Sequence, residues 1–326
     1  SVKALLYAIW IASAPNIRKT FHSSRSSFQM QESDARTAFD ALLDQLEIAH
    51  GQAIMVHSDM SGIPLPRIDA PLSRQGLQQQ RDQLCQFVLD ALAHRLGDTG
   101  TLIVPTFSYS TTTPGNAFHL ESTPSEVGPF SEFVRVLPGA RRSLHPIFSI
   151  AALGPMAKAL CDNTGLSAFG QGSPWQRFSD LNVRIVTLGT SFRKSATYIH
   201  HLEQCFGSPH RFNKVLQVPV YRDGKQVAGP WLAYLRYRSV GLDIDLTRLE
   251  NRLRESGDLL EAEWYGKPSS AVDTGRVDEI GYSMLHDNPW AFTDRRVIMD
   301  IQESVPDEGP CVAEQVVFEL NLKATR

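Results

Sequence analysis

Short apolar runs alternate along the chain with stretches whose apolar residues recur every three or four positions, a pattern that predicts an α/β fold. Ala38, Leu42, Leu43, Leu46 and Ile48 form one face of a first helix, which Ser33 or Asp34 caps and which stops near His50-Gly51. Residues 52–57 read as a strand, with residues 58–62 as the turn after it. A second helix over 77–96 carries Leu84, Val88, Ala91 and Leu92 at helical spacing and ends at Gly97. Residues 100–107 read as a buried strand that opens into a long polar loop, 108–129. A short helix over 131–136, a strand over 150–154 and a helix over 156–161 follow. Residues 183–189 are an apolar run ending on glycine, the signature of a buried strand.

Beyond that strand the period becomes helical. Ile199, Leu202 and Phe206 make an apolar stripe, while Thr197, His200, His201 and Gln204 fall on the polar side and Glu203 at the border. Asp223-Gly224 between 215–221 and 226–229 predicts a hairpin, and 231–238 continues the antiparallel character. Residues 246–255 read as an amphipathic helix stopped by Gly257, and 277–322 as short strands and turns. The expectation is an α/β fold: a central mixed sheet covered by helices, with an antiparallel, hairpin-containing C-terminal portion. Residues 1–32 are expected to be a loosely attached extension and 33–326 a single domain. Within that extension, residues 4–12 look like a short signal-peptide core, too short to span a bilayer.

Composition narrows the function classes. A net charge of -3 over 326 residues supplies no global basic field, so neither nucleic acid nor an anionic membrane is the expected partner. Cys85, Cys161, Cys205 and Cys311 are far apart and show no CxxC spacing, which points to free thiols and the cytoplasm. Neither GxxxxGK[ST] nor a strand-following GxGxxG occurs.

Chemistry-bearing residues collect where predicted strands end, the usual place for sites in open α/β sheets. Ser58 and Ser61 follow the first strand, Thr106 the second, and Thr197 with His200 the strand over 183–189. Arg142, Ser143 and His145 come from an irregular segment between them. Singly, each has a bland explanation: a solvated helix face for the histidines, a cap for Ser58-Asp59, a surface charge for Arg142, a turn for His145-Pro146. The sharper reading makes His200 a proton acceptor, with Glu203 three residues on holding its other ring nitrogen.

VHSDMSG at Val56, GTLIVPTFSYS at Gly100, LPGARRSLHPIFSIAALG at Leu137, FGQGSPW at Phe169 and TYIHHLE at Thr197 together resemble the aminoglycoside 3-N-acetyltransferase family. SPHRFNK at Ser208 and VDEIGYSML at Val277 extend the resemblance more weakly, to roughly residues 36–300. It implies an α/β sandwich around a central sheet, acetyl-CoA or another acyl-CoA as co-substrate, no metal, and acyl transfer to an amino group of a small-molecule amino sugar. The family includes antibiotic-resistance enzymes and enzymes that acylate nucleotide-linked amino sugars, so the acceptor and the acyl chain stay open.

By the same resemblance, His200 in TxxH is the catalytic base, Glu203 its carboxylate and Thr197 the motif's threonine; His201 receives no role. Ser58, Ser61, Arg142 and Ser143 match CoA-binding segments, and Asp278 and Glu279 match a carboxylate-bearing, substrate-side segment. Asp59 departs from the pattern, where a serine is usual; a carboxylate beside a pyrophosphate is unfavourable unless it points away, so the individual CoA contacts stay open. Thr106 or Ser58 is a candidate donor to the oxyanion of the tetrahedral intermediate.

A sugar amine is mostly protonated at neutral pH, so direct attack on a thioester needs a base titrating near that pH, as histidine does. A covalent route through Cys205 is less attractive, because its place beside the apolar stripe predicts a packed thiol. Two rivals remain. A metal-dependent hydrolase would assemble His57, His145, His200, His201 and Glu203, but no HExxH or comparable spacing occurs. A catalytically silent sugar- or CoA-binding module would not need His200 in its TxxH setting. The assembly is open between monomer and homodimer.

Overall fold

β-Branched and apolar runs buried on both sides form the centre of the molecule, as expected of parallel strands covered on two faces. The computed structural model describes residues 32–61, 63, 73–237 and 242–294. The strands are β1 (Ala53–Ser58), β2 (Thr101–Pro105), β3 (Phe118–His119), β4 (Arg141–Arg142), β5 (Ile150–Leu153), β6 (Arg184–Leu188), β7 (Arg211–Leu216), β8 (Val220–Arg222), β9 (Lys225–Val227), β10 (Trp231–Arg236), β11 (Leu260–Trp264) and β12 (Lys267–Asp273). Seven of them make one mixed sheet in the order β11-β12-β6-β1-β2-β5-β4. β1 pairs in parallel with β2 and β6, and antiparallel partners extend the sheet on both sides.

Alternation along these strands sorts their side chains onto two faces. Met55, Ile103, Ile185 and Val272 point to one core, against Trp175 and Phe178 of the Pro174–Asp180 helix, Ile199 and Leu202 of the Ile199–Phe206 helix, Leu249 and Leu253 of the Thr247–Glu255 helix, and Leu285 of the Thr274–Asp287 helix. Ile54, Val56, Leu102, Val104 and Val186 point to the other, against the Glu32–Gln45, Arg74–Leu96 and Pro129–Arg135 helices. A third, smaller cluster around Phe118, Ile147 and Trp231 joins the β7/β10 ribbon to the β3-β8-β9 sheet.

The predicted alternation holds, and three details differ. In the first helix Ala38 is exposed, and Ala35 and Phe39 take the inward positions. The run over 215–221 is divided between two sheets, with β7 ending at Leu216 and β8 starting at Val220, because Pro219 interrupts it. Residues 274–287 form a helix where short strands and turns were expected. Its Gly281 disguises it: glycine is a poor helix former, yet a Cβ there would lie 2.3 Å from Leu202 Cδ2, so a larger residue would have to displace the Leu202 side chain between the two helices. The expected antiparallel, hairpin-containing C-terminal portion is present, in the β7/β10 and β8/β9 pairs and in β11 and β12, which continue the main sheet at one edge. Residues 1–31 and 295–326, which hold most of the expected extension and the rest of the tail, lie outside the described residues.

β6 delivers the chain to the sheet's carboxyl end, as the sequence pattern predicts. There Gly189 turns with φ +70°, packed so closely that a Cβ would sit 2.2 Å from the Asp59 carbonyl oxygen. Asp59 N–H donates to Leu188 O at 2.9 Å, tying the end of β1 to this turn.

Candidate active site

The Ile199–Phe206 helix buries both flanks. Ile199 and Leu202 enter the core as expected, but His201 and Glu203 are buried too, so this is no solvated polar face. Glu203 has no exposed side-chain surface. Its Oε2 accepts from His200 Nδ1 at 2.8 Å and lies 2.8 Å from Arg211 Nε; its Oε1 lies 3.0 Å from His210 Nε2. The backbone is held as well, since Tyr234 Oη on β10 donates to Glu203 O at 2.9 Å.

These surroundings set the protonation states. Burial alone would raise the Glu203 carboxyl, but the Arg211 guanidinium and the two histidines outweigh it and hold the group well below the usual carboxylate range. Burial, then Arg211, push the His200 imidazole below its ordinary value, against the pull of Glu203. An ionised Glu203 only accepts, so Nδ1 of a neutral His200 carries the hydrogen and Nε2 keeps the lone pair. The His200 side chain is 23% exposed, enough for a reactant to reach it, and the Phe169 ring lies edge-on at 5.3 Å.

The FGQGSPW loop is clamped onto this helix. Gln204 Oε1 accepts from Phe169 N–H at 2.9 Å, its Nε2 donates to Ser167 Oγ and Asn213 Oδ1, and His201 Nδ1 is bonded to Phe169 O at 2.7 Å. His201 therefore fixes the loop while His200 pairs with Glu203, a distinction that the helical period cannot make. Asp278 supports the start of the helix: its carboxylate accepts from Tyr198 Oη at 2.8 Å and from Ser179 Oγ. Glu279 pairs at the surface with Arg276. Thr197 precedes the helix, its carbonyl accepting from His200 N–H at 3.1 Å.

A second polar centre gathers Thr106, Arg142 and Ser143. Arg142 Nε reaches Ser149 Oγ at 3.0 Å and Thr106 Oγ1 at 3.2 Å, and Nη2 reaches Thr106 O at 2.7 Å and Ser108 Oγ at 2.9 Å. Nη1 donates to Thr123 O, and the guanidinium lies over Phe118 at 4.7 Å. Burial pulls this guanidinium down to about 9. Arg142 thus ties the 106–123 segment together, and the Thr106 hydroxyl is engaged within the same network. Ser143 is buried, with Oγ accepting from Ile150 N–H at 2.9 Å.

At the end of β1, Ser58 is half-buried, and Ser61 donates its N–H to Asp59 Oδ1 at 3.0 Å. The Ser61 hydroxyl also bonds that carboxylate and accepts from Lys267 Nζ at 3.3 Å. Asp59 therefore closes a local turn with Lys267 3.8 Å away, which balances its charge.

A profile of the family described as Aminoglycoside 3-N-acetyltransferase matches residues 55–277, about two thirds of the chain. The chain belongs to the aminoglycoside 3-N-acetyltransferase family. The matched span holds His200, Glu203, His210, Arg211, Thr106 and Arg142, and ends one residue before Asp278. Aminoglycoside N(3)-acetyltransferase III from Salmonella sp is 32% identical over 126 residues, covering 38% of this chain and 43% of that enzyme. The chain thus spans less than half the length of the type III relatives it matches. Among solved structures, aminoglycoside acetyltransferase AAC(3)-Xa superposes with a TM-score of 0.64 at 24% identity, over 78% of this chain and 97% of that one. AAC-IIIb, solved as a binary complex with CoASH, gives 0.62 at 20% identity, over 82% and 99%. Both share the fold.

In this family member, sequence reading finds the His200–Glu203 pair but misses what surrounds it. His210 and Arg211 lie in SPHRFNK, whose match to the family was the available signal, and the turn after the helix brings them onto Glu203. Among the described residues, no three His, Cys, Asp or Glu side chains are placed to hold a metal ion together, and His145 is engaged with backbone. His145 Nδ1 accepts from Ile147 and Phe148 N–H at 3.2 and 2.9 Å, with Nε2 3.2 Å from Leu232 O. Cys205 is exposed rather than packed, with its Sγ 3.6 Å from His201 Nδ1. Among the described residues, no helix is long and apolar enough to cross a membrane.

Proposed function

We propose that this chain is an acyl-CoA-dependent N-acyltransferase that moves an acyl group, acetyl first among candidates, onto an amino group of an amino sugar. The observation that carries the reading is His200, 23% exposed and held through Nδ1 at 2.8 Å by the fully buried Glu203. The family supplies the reaction class, and the aminoglycoside and CoASH names of the relatives supply the substrate classes.

His200 Nε2 accepts a proton from the acceptor amine, whose lone pair attacks the thioester carbonyl. The carbonyl π electrons move onto oxygen, and the resulting imidazolium is stabilised by Glu203 across the Nδ1–H bond. Collapse of the tetrahedral adduct forms the amide and breaks the C–S bond. The CoA sulfur then leaves with the proton returned from His200.

Ser58 and Ser61, at the carboxyl end of β1, are the CoA-side candidates nearest the surface. Arg142, Ser143 and Thr106 serve that side through the segment they brace, and Thr197 and Asp278 serve the acceptor side by fixing the histidine helix. The use of CoA and the free thiols favour the cytoplasm as the working compartment.

Acetyl-CoA is incubated with a panel of aminoglycosides and nucleotide-linked amino sugars, and thiol release is followed. His200→Ala is expected to lower kcat at least about 100-fold, the usual range for loss of a general base. An unchanged rate in the variant would remove His200 from the mechanism.

A further inference from the structure

A carboxylate with no solvent exposure needs a positive partner, because burying an unpaired charge costs several kcal/mol. Around Glu203 three groups can provide one: His200, His210 and Arg211. If His200 provided it, the imidazole would already hold the proton it is meant to accept. Arg211 is the candidate whose charge does not depend on pH. Its Nε lies 2.8 Å from Oε2, the same oxygen that accepts from His200 Nδ1, and its side chain is 7% exposed. It is also fixed in place: the guanidinium lies 5.5 Å from the centre of the Tyr234 ring, whose hydroxyl holds the Glu203 carbonyl.

Building on His200 as the base, we propose that Arg211 is a positioning residue that neutralises Glu203 with a permanent charge, so that His200 stays unprotonated on Nε2 and ready to accept. Glu203 then orients the imidazole without charging it. A buried Glu–His pair alone would favour imidazolium. The groups facing the pair are His200 on its own helix, His210 and Arg211 at the start of β7, and Tyr234 on β10. On the packed 274–287 helix, Asp278 is engaged with Tyr198 and Ser179. Sensitivity of His200 to Arg211 in its protonation agrees with this geometry.

The test titrates the full chain carrying labelled histidine and follows the ring signals of His200 and His210 by NMR, with His200→Ala for assignment. In the wild type the His200 midpoint is expected below 6.5. Arg211→Gln should raise it by about one pH unit, and Arg211→Lys, which keeps the charge, should leave it within a few tenths. The acid limb of kcat/KM should move with it.

An unmoved His200 midpoint in Arg211→Gln overturns the assignment, as does proton uptake by His210 in its place. Should Arg211→Gln not fold, a one-unit rise in Arg211→Lys, or a wild-type midpoint above 6.5, also overturns it. The two readings separate: if no amino sugar is acylated but the midpoint moves as expected, the acyltransferase function fails and the charge role of Arg211 stands. If His200→Ala abolishes transfer but Arg211→Gln leaves midpoint and acid limb in place, the reverse holds.

Discussion

His57 and His145 make the stability of this chain depend on pH. Burial pushes each from 6.5 down to about 4. His145 cannot protonate without losing Nδ1 as the acceptor for two backbone N–H groups. The unfolded chain therefore takes up protons near pH 6.5 while the folded chain does not until about 4. The stabilisation is fully present above pH 6.5 and is lost as pH falls toward 4, on the order of 3 kcal/mol for each residue. Urea midpoints should drop steadily between pH 7 and 4.5, and His57→Gln should shrink that drop. A flat profile would mean that these imidazoles are not held neutral. The sequence pattern places His57 at the end of a strand, but carries no sign that it is buried or that its Nε2 has no partner among the described residues.

Gly189 joins β6 to the segment that carries the histidines. Its positive φ and the 2.2 Å approach to Asp59 O leave no room for a side chain. Gly189→Ala should destabilise the fold by about 2 kcal/mol or more, combining left-handed strain with displacement of the β1 turn. It should also weaken CoA binding, since Ser58 and Ser61 sit on that turn; equilibrium unfolding and calorimetry with CoA check the two parts. At this scale the strand ending at Leu188 was legible because an apolar run closing on glycine has few other readings. The 274–287 helix was not. Val277, Met284 and Leu285 have the spacing, but the value of Gly281 lies in its contact with Leu202, which no local pattern records.

Across the whole molecule, the two-faced sheet holds the cores apart and Arg142 braces the loops that cover its carboxyl end. Removing the guanidinium would leave Thr106 O, Thr123 O and the three buried hydroxyls of Thr106, Ser108 and Ser149 short of a donor. Arg142→Ala should therefore cost about 3 kcal/mol in equilibrium unfolding, from unsatisfied buried groups. If stability instead stayed within about 0.5 kcal/mol while the Kd for CoA rose tenfold, Arg142 would be a ligand contact and not a brace.

Hydrophobic periodicity by itself determined the α/β alternation, the burial of both faces of the parallel strands and the position of His200 beyond a strand's carboxyl end. Each of these depends on side chains a few residues apart, and short-range spacing encodes that directly. The family motifs then separated His200 from His201, which the helical period leaves on the same side. Only the tertiary structure decided which groups meet: Arg211 and His210 on Glu203, Arg142 on Thr106 and Thr123, Asp278 on Tyr198. The partner of a buried charge is chosen by desolvation and by where distant segments pack. A polar residue in the sequence carries no mark of whether water or another side chain will face it.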